Sequence, residues 1–362
     1  MKSSTDQYWI ALDHVRALAA LMVFIWHFTH GTPGYPVPFE GAPAIFPLAL
    51  FDEGHVGVSV FMVLSGYLFA KLLDGKAIDY PKFFWNRFIR LAPLLLVVMA
   101  LKGLQLALTG GDLSEYGLSL LKGFVVPAWP SGGWSITVEL HFYLILPFLL
   151  AISNRDPRWL LAVLGAAIAL RAGIFWTTGT AQDAGYWTIF GRIDQFLLGM
   201  LIFMRGAWVA ERTSWVIAIV VGFTGFYWLF DMMGGYNDFG GAYPSPSPLW
   251  IILPTIEAVA FAVALAWYDR RYAAGSGPIA RFIASYGTFS YSIYLLHPFI
   301  VFRASKFIHE HIMSLENFYL ASFVGLLVFL GMYPIGWLSY NFIEKPALRF
   351  RTRYVMAKAQ AS

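Results

Sequence analysis

The 362-residue chain contains no cysteine, and only 13% of its residues are charged, about half the share found in a typical globular protein. The absence of cysteine excludes disulfides, a cysteine acyl-enzyme, cysteine-ligated zinc and iron–sulfur clusters. The scarcity of charge excludes a large water-facing surface, and 58% of the residues are hydrophobic. No basic stripe interleaved with aromatic residues accompanies the net charge of +4, which argues against nucleic acid as a partner. The composition therefore predicts an integral membrane protein.

Runs of about 20 mostly apolar residues, the length needed to cross a bilayer, recur along the whole chain. They predict an all-α, polytopic transmembrane helical bundle of about ten spans. We expect a single integral membrane domain over 1–362, with no fused soluble domain. The predicted spans are 9–29, 54–73, 91–109, 133–152, 158–177, 186–204, 213–231, 249–268, 284–304 and 318–341. Residues 116–129 are apolar but too short, so we predict an interfacial or re-entrant segment there, with a tilted span as the alternative.

The distribution of Lys and Arg between the loops sets the expected orientation. With the N-terminus in the cytosol, eighteen of these residues fall in cytosolic segments, including Lys2 and Lys358 near the chain ends. The outer segments hold three, Lys122, Arg303 and Lys306. Cytosolic loops of membrane proteins are enriched in positive charge, so both termini are predicted to be cytosolic.

The first predicted span, LDHVRALAALMVFIWHF, carries Asp13, Arg16 and His27 at depths where ionisable groups are costly. Arg16 and His27 are eleven residues apart, so they lie within about 20° of one helical face and about 16 Å apart along the axis. One wall of the bundle is therefore predicted to present a guanidinium on its cytosolic side and an imidazole on its outer side. The alternative is that Arg16 snorkels to the cytosolic interface while His27 lies at the outer one.

Further ionisable residues recur in the outer half of other predicted spans. They are Glu139 in WSITVELHFYLILP, Arg192 and Asp194 in RIDQFLLGM, and His297 in SYSIYLLHP. Ser290 and Tyr294 share a helical face with His297. Arg192 and Asp194 are two residues apart, so they face different ways. The common depth predicts one reaction chamber that also contains the imidazole of the first span. A ring of unrelated solvated residues at the lipid interface is the alternative.

The cytosolic segment FFWNRFIRLAP carries Arg87 and Arg90 three residues apart, on one face of a predicted helix. Guanidinium forks match the oxygens of phosphate groups, so this face is predicted to bind a phosphate-rich ligand. Simple positive anchoring at the cytosolic surface is the alternative.

Seven sequence pieces in order, together spanning essentially the whole chain, resemble the acyltransferase-3 family of membrane O-acyltransferases. The pieces are LDHVRALAALMVFIWHF, FMVLSGYLF with Ser65 and Gly66, NRFIRLAP, WSITVELHFYLILP, RIDQFLLGM, SYSIYLLHP and FIEKP. Each piece alone is weak evidence for the family, whereas seven pieces in order within ten predicted spans are specific evidence for it. The chain departs from the family pattern at Asn86, where many members carry a second arginine, and this departure leaves the phosphate contacts open.

The resemblance implies an acyl-CoA-dependent O-acyltransferase. Such an enzyme moves an acyl group, usually acetyl, from cytosolic acyl-CoA to a hydroxyl of a cell-surface or lipid-linked saccharide. The resemblance implies catalytic roles for Arg16 and His27, and it makes acyl-CoA the ligand expected at Arg87 and Arg90. Acetyl-CoA would be a co-substrate, with no permanently bound cofactor and no metal. We expect a stand-alone, multi-pass protein of a bacterial inner membrane, with membrane lipid and a saccharide or glycolipid acceptor as partners.

The candidate residues fit this chemistry in distinct roles. His27 can take the proton of the attacking hydroxyl, and Glu139 is the candidate to orient its ring. Arg192 and Tyr294 are candidate donors to the oxyanion that develops on the thioester. The remaining supporting or substrate-binding candidates are Asp13, Ser65, Asp194 and His297.

Several alternatives stay open at this stage. Transfer can be direct or can pass through a covalent acyl-His27. A serine nucleophile at Ser65 or Ser135 is disfavoured, because neither lies in a recognisable nucleophile elbow. A proton-coupled secondary transporter would use the same intramembrane His, Asp and Glu, but such transporters usually carry repeated halves, which this sequence lacks. A membrane scaffold without chemistry would leave the buried charges at one depth unexplained.

Overall fold

The computed structural model describes residues 9–31, 36–39, 41–74, 76–271 and 277–357. Lys2 and Lys358, which contributed to the predicted orientation, lie outside the described residues. In chain order the α-helices are α1 Ile10–His30, α2 Ala49–Asp52, α3 Gly57–Leu73, α4 Tyr80–Leu108, α5 Leu113–Lys122, α6 Trp134–Arg155, α7 Trp159–Thr178, α8 Gln182–Trp187, α9 Ile189–Met204, α10 Gly206–Ala210, α11 Thr213–Met232, α12 Gly235–Asp238, α13 Leu253–Arg271, α14 Pro278–Thr288, α15 Ser290–Leu296, α16 Val301–His311, α17 Phe318–Gly331, α18 Tyr333–Ser339 and α19 Lys345–Ala347.

Short turns and one ribbon complete the described secondary structure. The 3-10 turns are Phe46–Leu48, Gly54–Val56, Pro248–Ile251, His297–Phe299 and Leu348–Phe350, and a π-helical turn covers Tyr340–Glu344. Strands β1 Lys76–Ile78 and β2 Val355–Ala357 pair antiparallel. The ribbon joins the segment before α4 to the segment after the last helix.

Seven described segments are long and apolar enough to cross a membrane: Ile10–His30, Gly54–Leu73, Tyr80–Leu108, Trp134–Arg155, Arg158–Thr178, Thr213–Met232 and Phe318–Phe350. Large apolar side chains are exposed on their outer faces, for example Leu96 at 61% and Trp176 at 85% exposure. Such a surface suits lipid rather than water. The chain is therefore an all-α, multi-pass integral membrane protein. The count of ten spans and the cytosolic position of both termini stay predictions.

Three predicted spans differ from single long apolar helices. The span predicted over 186–204 is shared between α8 and α9, and the 16 residues of α9 rise only about 24 Å. The span predicted over 249–268 falls largely in α13, which carries charge at Glu257 and at its C-terminal end. The span predicted over 284–304 is divided among α14, α15, a 3-10 turn and α16. Helices α9 and α13 are largely buried, so neighbouring helices satisfy their polar groups. Helices α14 and α16 instead expose large apolar side chains, such as Ile279 at 77% and Phe307 at 56%.

The short apolar segment predicted over 116–129 begins in α5, which has 10 residues. The Asp112 side chain caps this helix by accepting from the backbone N–H groups of Ser114 and Glu115, at 2.7 and 3.0 Å. Ten residues rise about 15 Å, half the thickness of the hydrocarbon core. None of the residues of α5 is buried. A helix of this length fits an interfacial or re-entrant segment, and the placement of the segment in the membrane stays a prediction.

Helices α3 and α9 approach each other closely at two glycines. A Cβ on Gly66 would lie 2.0 Å from the Phe196 carbonyl oxygen, and a Cβ on Gly199 would lie 2.1 Å from the Val63 carbonyl oxygen. Small residues allow helix backbones inside a membrane to pack at such short range. The contact fixes the position of α9, which carries Arg192, against the site described below.

A break in the helical structure after α15 determines where His297 lies. The helix ends at Leu296, and a 3-10 turn follows before α16 begins. The turn contains Pro298, which has no N–H with which to continue the helix. His297 lies in this turn with only 2% of its surface exposed. The break therefore presents His297 to the interior of the bundle, where it meets α1.

Candidate active site

Two cavities inside the bundle contain most of the predicted site residues, with Asp13, Arg192 and Asp194 in neither lining. The polar residues that line the first, which we call the inner cavity, are Arg16, Ser65, Arg87, Arg90, Ser135, Glu139, Tyr143, Ser290, Tyr291 and Tyr294. The second, which we call the outer chamber, is lined by Val23, Trp26, His27, His55, Val58, Gly132, Trp134, Tyr186, Trp187, Tyr236, Asn237, Tyr243, Tyr294, His297 and Pro298. In the predicted orientation, the inner cavity lies nearer the cytosol.

The lining of the inner cavity is rich in positive charge. Among the described residues that line it, three are arginines and one, Glu139, is a carboxylate. Arg16 forms an ion pair with Asp13, and Glu139 accepts a hydrogen bond from the Tyr143 hydroxyl. The Nε of Arg87 is buried and has no hydrogen-bond partner among the described residues. A cavity with this excess of guanidinium groups favours an anionic ligand.

The spacing of Arg87 and Arg90 predicted that both would face one ligand, and both line the inner cavity. Asn86, at which the sequence departs from the family pattern, is 1% exposed and does not line the cavity. Its side-chain amide binds the backbone of Thr352 instead. Ser65 lies in the cavity wall, so it contacts the same space as the arginines.

His27 and His297 meet in the outer chamber, with ring centroids 4.9 Å apart. The Nδ1 of His27 lies 2.7 Å from the Val23 carbonyl oxygen, and the Nδ1 of His297 lies 2.6 Å from the Tyr294 carbonyl oxygen. A carbonyl oxygen only accepts, so each Nδ1 carries the proton and each Nε2 is an acceptor. The Nε2 of His297 is buried without a partner among the described residues. The chamber therefore offers two imidazole acceptors.

The Tyr294 side chain stands between the two cavities and lines both. Its hydroxyl donates to the Gly132 carbonyl oxygen at 2.9 Å and lies 2.8 Å from Ser135 Oγ. Gly132 has a φ of +75°, a left-handed conformation that glycine adopts without strain. The turn at Gly132 thereby holds Tyr294 against the start of α6, where the cavities meet.

Arg192 lies behind the aromatic wall of the outer chamber. Its guanidinium carbon lies 4.3 Å from the centroid of the Tyr186 ring. The Nη1 group donates to Ser59 Oγ at 2.8 Å and lies 3.5 Å from a carboxylate oxygen of Glu257. The Nη2 group is buried without a partner among the described residues. Arg192 therefore acts on the chamber through the face of Tyr186, by a cation–π contact.

A common depth in the membrane does not bring the five predicted residues into one chamber, so this prediction is wrong in that respect. His27 and His297 line the outer chamber. Glu139 lines the inner cavity, and the Nδ1 of His27 is held by its own helix and not by this carboxylate. Asp194 is completely buried in an ion pair with Arg171. Depth along a helix leaves open the direction in which a side chain points around it.

Sequence reasoning missed most of the outer chamber's wall. The Tyr186 ring lies 5.1 Å from the Trp134 ring and 4.6 Å from the Tyr236 ring, measured between centroids. The carboxylate of Glu53 holds this wall, because it accepts from the Tyr236 backbone N–H at 3.1 Å and lies 2.8 Å from His55 Nε2. Trp134 was visible as the residue before Ser135 in one of the quoted pieces. Tyr236 lies in the four-residue helix α12 and His55 in the 3-10 turn at the start of the predicted span 54–73, and elements this short carry no periodic signal.

Comparisons with known proteins agree on one family. A family model described as an acyltransferase domain matches residues 9–337. A putative membrane-bound transacylase of Komagataeibacter xylinus is 26% identical over 350 residues, which cover 86% of this chain and 81% of that protein. A peptidoglycan O-acetyltransferase of Listeria monocytogenes is 25% identical over 58% of this chain and 36% of its own length. A putative O-acetyltransferase of Staphylococcus aureus is 23% identical over 96% of this chain and 60% of its own length. No solved structure matches the chain.

The matched range contains every residue that lines the inner cavity and the outer chamber. It also holds six of the seven pieces on which the resemblance was drawn, the exception being FIEKP. The chain belongs to the acyltransferase-3 family of membrane acyltransferases.

Proposed function

We propose that this chain transfers an acetyl group from cytosolic acetyl-CoA to a hydroxyl of a saccharide at the outer side of the membrane. One observation carries the proposal. A positively charged inner cavity and a histidine-lined outer chamber share a wall at Tyr294. Membership of the family establishes acyl transfer as the reaction class, and the donor, its cytosolic side and the acceptor are what we add.

The donor fits the inner cavity because its charge is opposite to that of the lining. Arg87 and Arg90 would bind the phosphate groups, since guanidinium forks match phosphate oxygens. The buried Nε of Arg87, which has no partner among the described residues, is available to such a ligand. The pantetheine arm would run along the cavity past Arg16 toward Tyr294. This arrangement brings the thioester to the boundary with the outer chamber.

The acceptor fits the outer chamber because aromatic faces and polar tips suit a sugar ring. Trp134, Tyr186 and Tyr236 supply apolar ring faces against which the C–H face of a saccharide can pack. Hydroxyl and amide groups at the rim supply hydrogen bonds that set orientation, as is usual in ligand sites. The Listeria relative is a peptidoglycan O-acetyltransferase, which supports a saccharide acceptor.

The transfer step needs a base and a donor to the oxyanion. The acceptor oxygen attacks the thioester carbonyl carbon while His27 Nε2 takes the hydroxyl proton. The Tyr294 hydroxyl is the candidate donor to the oxygen that becomes negative, and its single proton would turn from the Gly132 carbonyl oxygen to do so. Collapse of this intermediate breaks the carbon–sulfur bond, and the leaving thiolate takes the proton from the imidazolium. The products are the O-acetyl ester and free CoA, and the imidazole is restored to its neutral form.

Purified protein in liposomes tests the proposal directly. Acetyl-CoA labelled in its acetyl group would be supplied with cellobiose and with N,N′-diacetylchitobiose, and free thiol and labelled saccharide would be measured together. We expect thiol release in proportion to ester formation. Failure of the protein to bind CoA or to release thiol would overturn acyl-CoA as the donor. Thiol release without labelled saccharide would overturn these acceptors and leave the donor standing.

A further inference from the structure

The segment that follows the last helix is attached to the start of α4, the helix that carries Arg87. Strand β2 pairs with β1 just before α4, and the Asp79 backbone N–H donates to the Tyr354 carbonyl oxygen at 2.9 Å. The Trp85 indole N–H donates to the Phe350 carbonyl oxygen at 3.0 Å. The C-terminal segment is therefore fixed to the start of α4 on both sides of residues 351–353, by the Trp85 side chain before them and by backbone pairing after them.

Asn86 fastens the middle of this segment. Its Nδ2 donates to the Thr352 carbonyl oxygen at 2.6 Å, and its Oδ1 accepts from the Thr352 backbone N–H at 2.9 Å. The side-chain amide thus imitates a strand neighbour and satisfies both backbone groups of one residue. Arginine at this position would have donors but no acceptor for the N–H group. Asn86 is itself 1% exposed, whereas its partner Thr352 is exposed, so the two hydrogen bonds are partly buried.

Arg351 is the residue immediately before Thr352, which the two Asn86 hydrogen bonds hold. It is partly buried, and burial first, then the neighbouring guanidinium groups of Arg90 and Arg87, lower the pKa of Arg351 to about 10. It therefore stays positively charged at neutral pH. The adjacent Tyr354 is buried, and its hydroxyl oxygen lies 3.5 Å from Arg87 Nη2. Arg351 is not among the residues that line the inner cavity, but the Asn86–Thr352 hydrogen bonds and the Tyr354–Arg87 contact hold its backbone beside the part of α4 that carries Arg87 and Arg90.

Two guanidinium groups in the wall of a cavity, with a third on the segment held beside them, favour an anion with several charges. We propose that Arg351 binds phosphate groups of the acyl-CoA donor together with Arg87 and Arg90, and that Asn86 is a positioning residue that holds Arg351 in place. The inference rests on the proposed function, because it takes acyl-CoA as the donor. It assigns part of the donor site to a segment beyond the range that the family model matches, which ends at residue 337.

Two donors that differ in phosphate content test the role of Arg351. Acetyl-CoA carries the phosphates, whereas S-acetylpantetheine has the same thioester arm without them. Arg351→Gln should raise the KM for acetyl-CoA about tenfold or more, the usual effect of losing a charge-assisted hydrogen bond. The KM for S-acetylpantetheine and both kcat values should stay as in the wild type. The KM of Arg351→Lys for acetyl-CoA should lie between those of the wild type and Arg351→Gln, because lysine keeps the charge and loses the forked guanidinium geometry.

Arg353→Gln is the matched control, because Arg353 is an exposed arginine two residues further along. A KM for acetyl-CoA in Arg351→Gln no higher than in Arg353→Gln would overturn the inference. An equal rise for both donors would also overturn it, since a structural defect alone would produce that result. Calorimetric measurement of CoA binding distinguishes a wrong donor from a wrong role for Arg351. If the wild type fails to bind CoA, acyl-CoA itself is the wrong donor and this inference falls with it.

The positioning role of Asn86 has its own test. Asn86→Ala should raise the KM for acetyl-CoA in the same way, and combining it with Arg351→Gln should add little, because both changes remove one interaction. Fully additive effects in the double variant would overturn the positioning role. If Asn86→Ala does not fold, Asn86→Asp replaces it, since Asp keeps the acceptor for Thr352 N–H and loses the donor. An unchanged KM in that variant would likewise overturn the role.

Discussion

Arg171 donates to both carboxylate oxygens of Asp194, at 3.0 and 2.7 Å, and neither side chain has any exposed surface. The pair joins α7 to α9. The surrounding polar groups are also satisfied, because Arg171 Nε donates to the Ile251 carbonyl oxygen at 2.8 Å and the Thr255 hydroxyl donates to Asp194. A closed network of this kind holds helices together. Asp194 is therefore a structural residue, although its position in the sequence predicted a place in the reaction chamber.

Asp194→Asn should destabilise the fold and spare the chemistry. The change leaves the Arg171 guanidinium buried without its counter-charge, which typically costs about 3–5 kcal/mol. We expect a lower apparent melting temperature in detergent, with a near-normal KM for acetyl-CoA in the protein that remains folded. The double variant Arg171→Met with Asp194→Leu should recover most of the stability, because no charge is then left unpaired. A normal melting temperature combined with lost transfer would return Asp194 to the reaction site.

The contact between α3 and α9 gives a second stability prediction. A methyl group on Gly66 would meet the Phe196 carbonyl oxygen at 2.0 Å, so Gly66→Ala must push the helices apart, at a cost of about 1–3 kcal/mol. Thermal unfolding in detergent should show the loss. Gly117→Ala is the control, because a Cβ there meets nothing within 4 Å. Equal melting temperatures for the two variants would contradict the close contact.

The parts of the site that the sequence predicted depend on residues within one helix. Arg87 and Arg90 share a cavity because a separation of three residues on one helix puts both side chains on a common face. Arg16 and His27 share a helix face in the same way, although they open into different cavities. Asp194 was misplaced because its partner Arg171 comes from another helix. Glu139 was misplaced because the rotation of one helix against another is set by packing. Gly66 illustrates this, because its role depends on the carbonyl group of Phe196 in α9.

The predicted orientation is open to a direct test. The excess of Lys and Arg in alternate loops predicts that both termini lie in the cytosol. An alkaline phosphatase fused to the C-terminus should be inactive, and a green fluorescent protein at the same place should fluoresce, because the first folds only outside the cytosol. The reverse pattern would place the C-terminus on the outer side and contradict the predicted orientation.

Arg87 and Arg90 should control the affinity for the donor. Changing both to Gln removes two guanidinium groups from the inner cavity, so the KM for acetyl-CoA should rise far more than the KM for the acceptor. Lys82→Gln on the same helix is the control, because the Lys82 side chain is 52% exposed. Steady-state kinetics with each substrate varied in turn would measure the difference. An unchanged donor KM in the double variant would remove the two arginines from the donor site.

His27 should be the residue that takes the proton from the acceptor. Its Nδ1 donates to the Val23 carbonyl oxygen, so Nε2 is the nitrogen that can accept the proton. His27→Ala should fold, insert and bind CoA normally, and transfer should fall by about 10²–10⁴-fold, the usual loss with general acid–base catalysis. His311→Ala, on an exposed part of α16, should leave transfer unchanged.

Only the neutral imidazole accepts a proton, so kcat/KM for the acceptor should fall in the wild type as the pH is lowered. His297→Ala should keep this acidic limb, because His27 still titrates. A folded His27→Ala protein with near-normal transfer and the same limb would show that the base lies elsewhere, and the buried Nε2 of His297 would then be the first candidate.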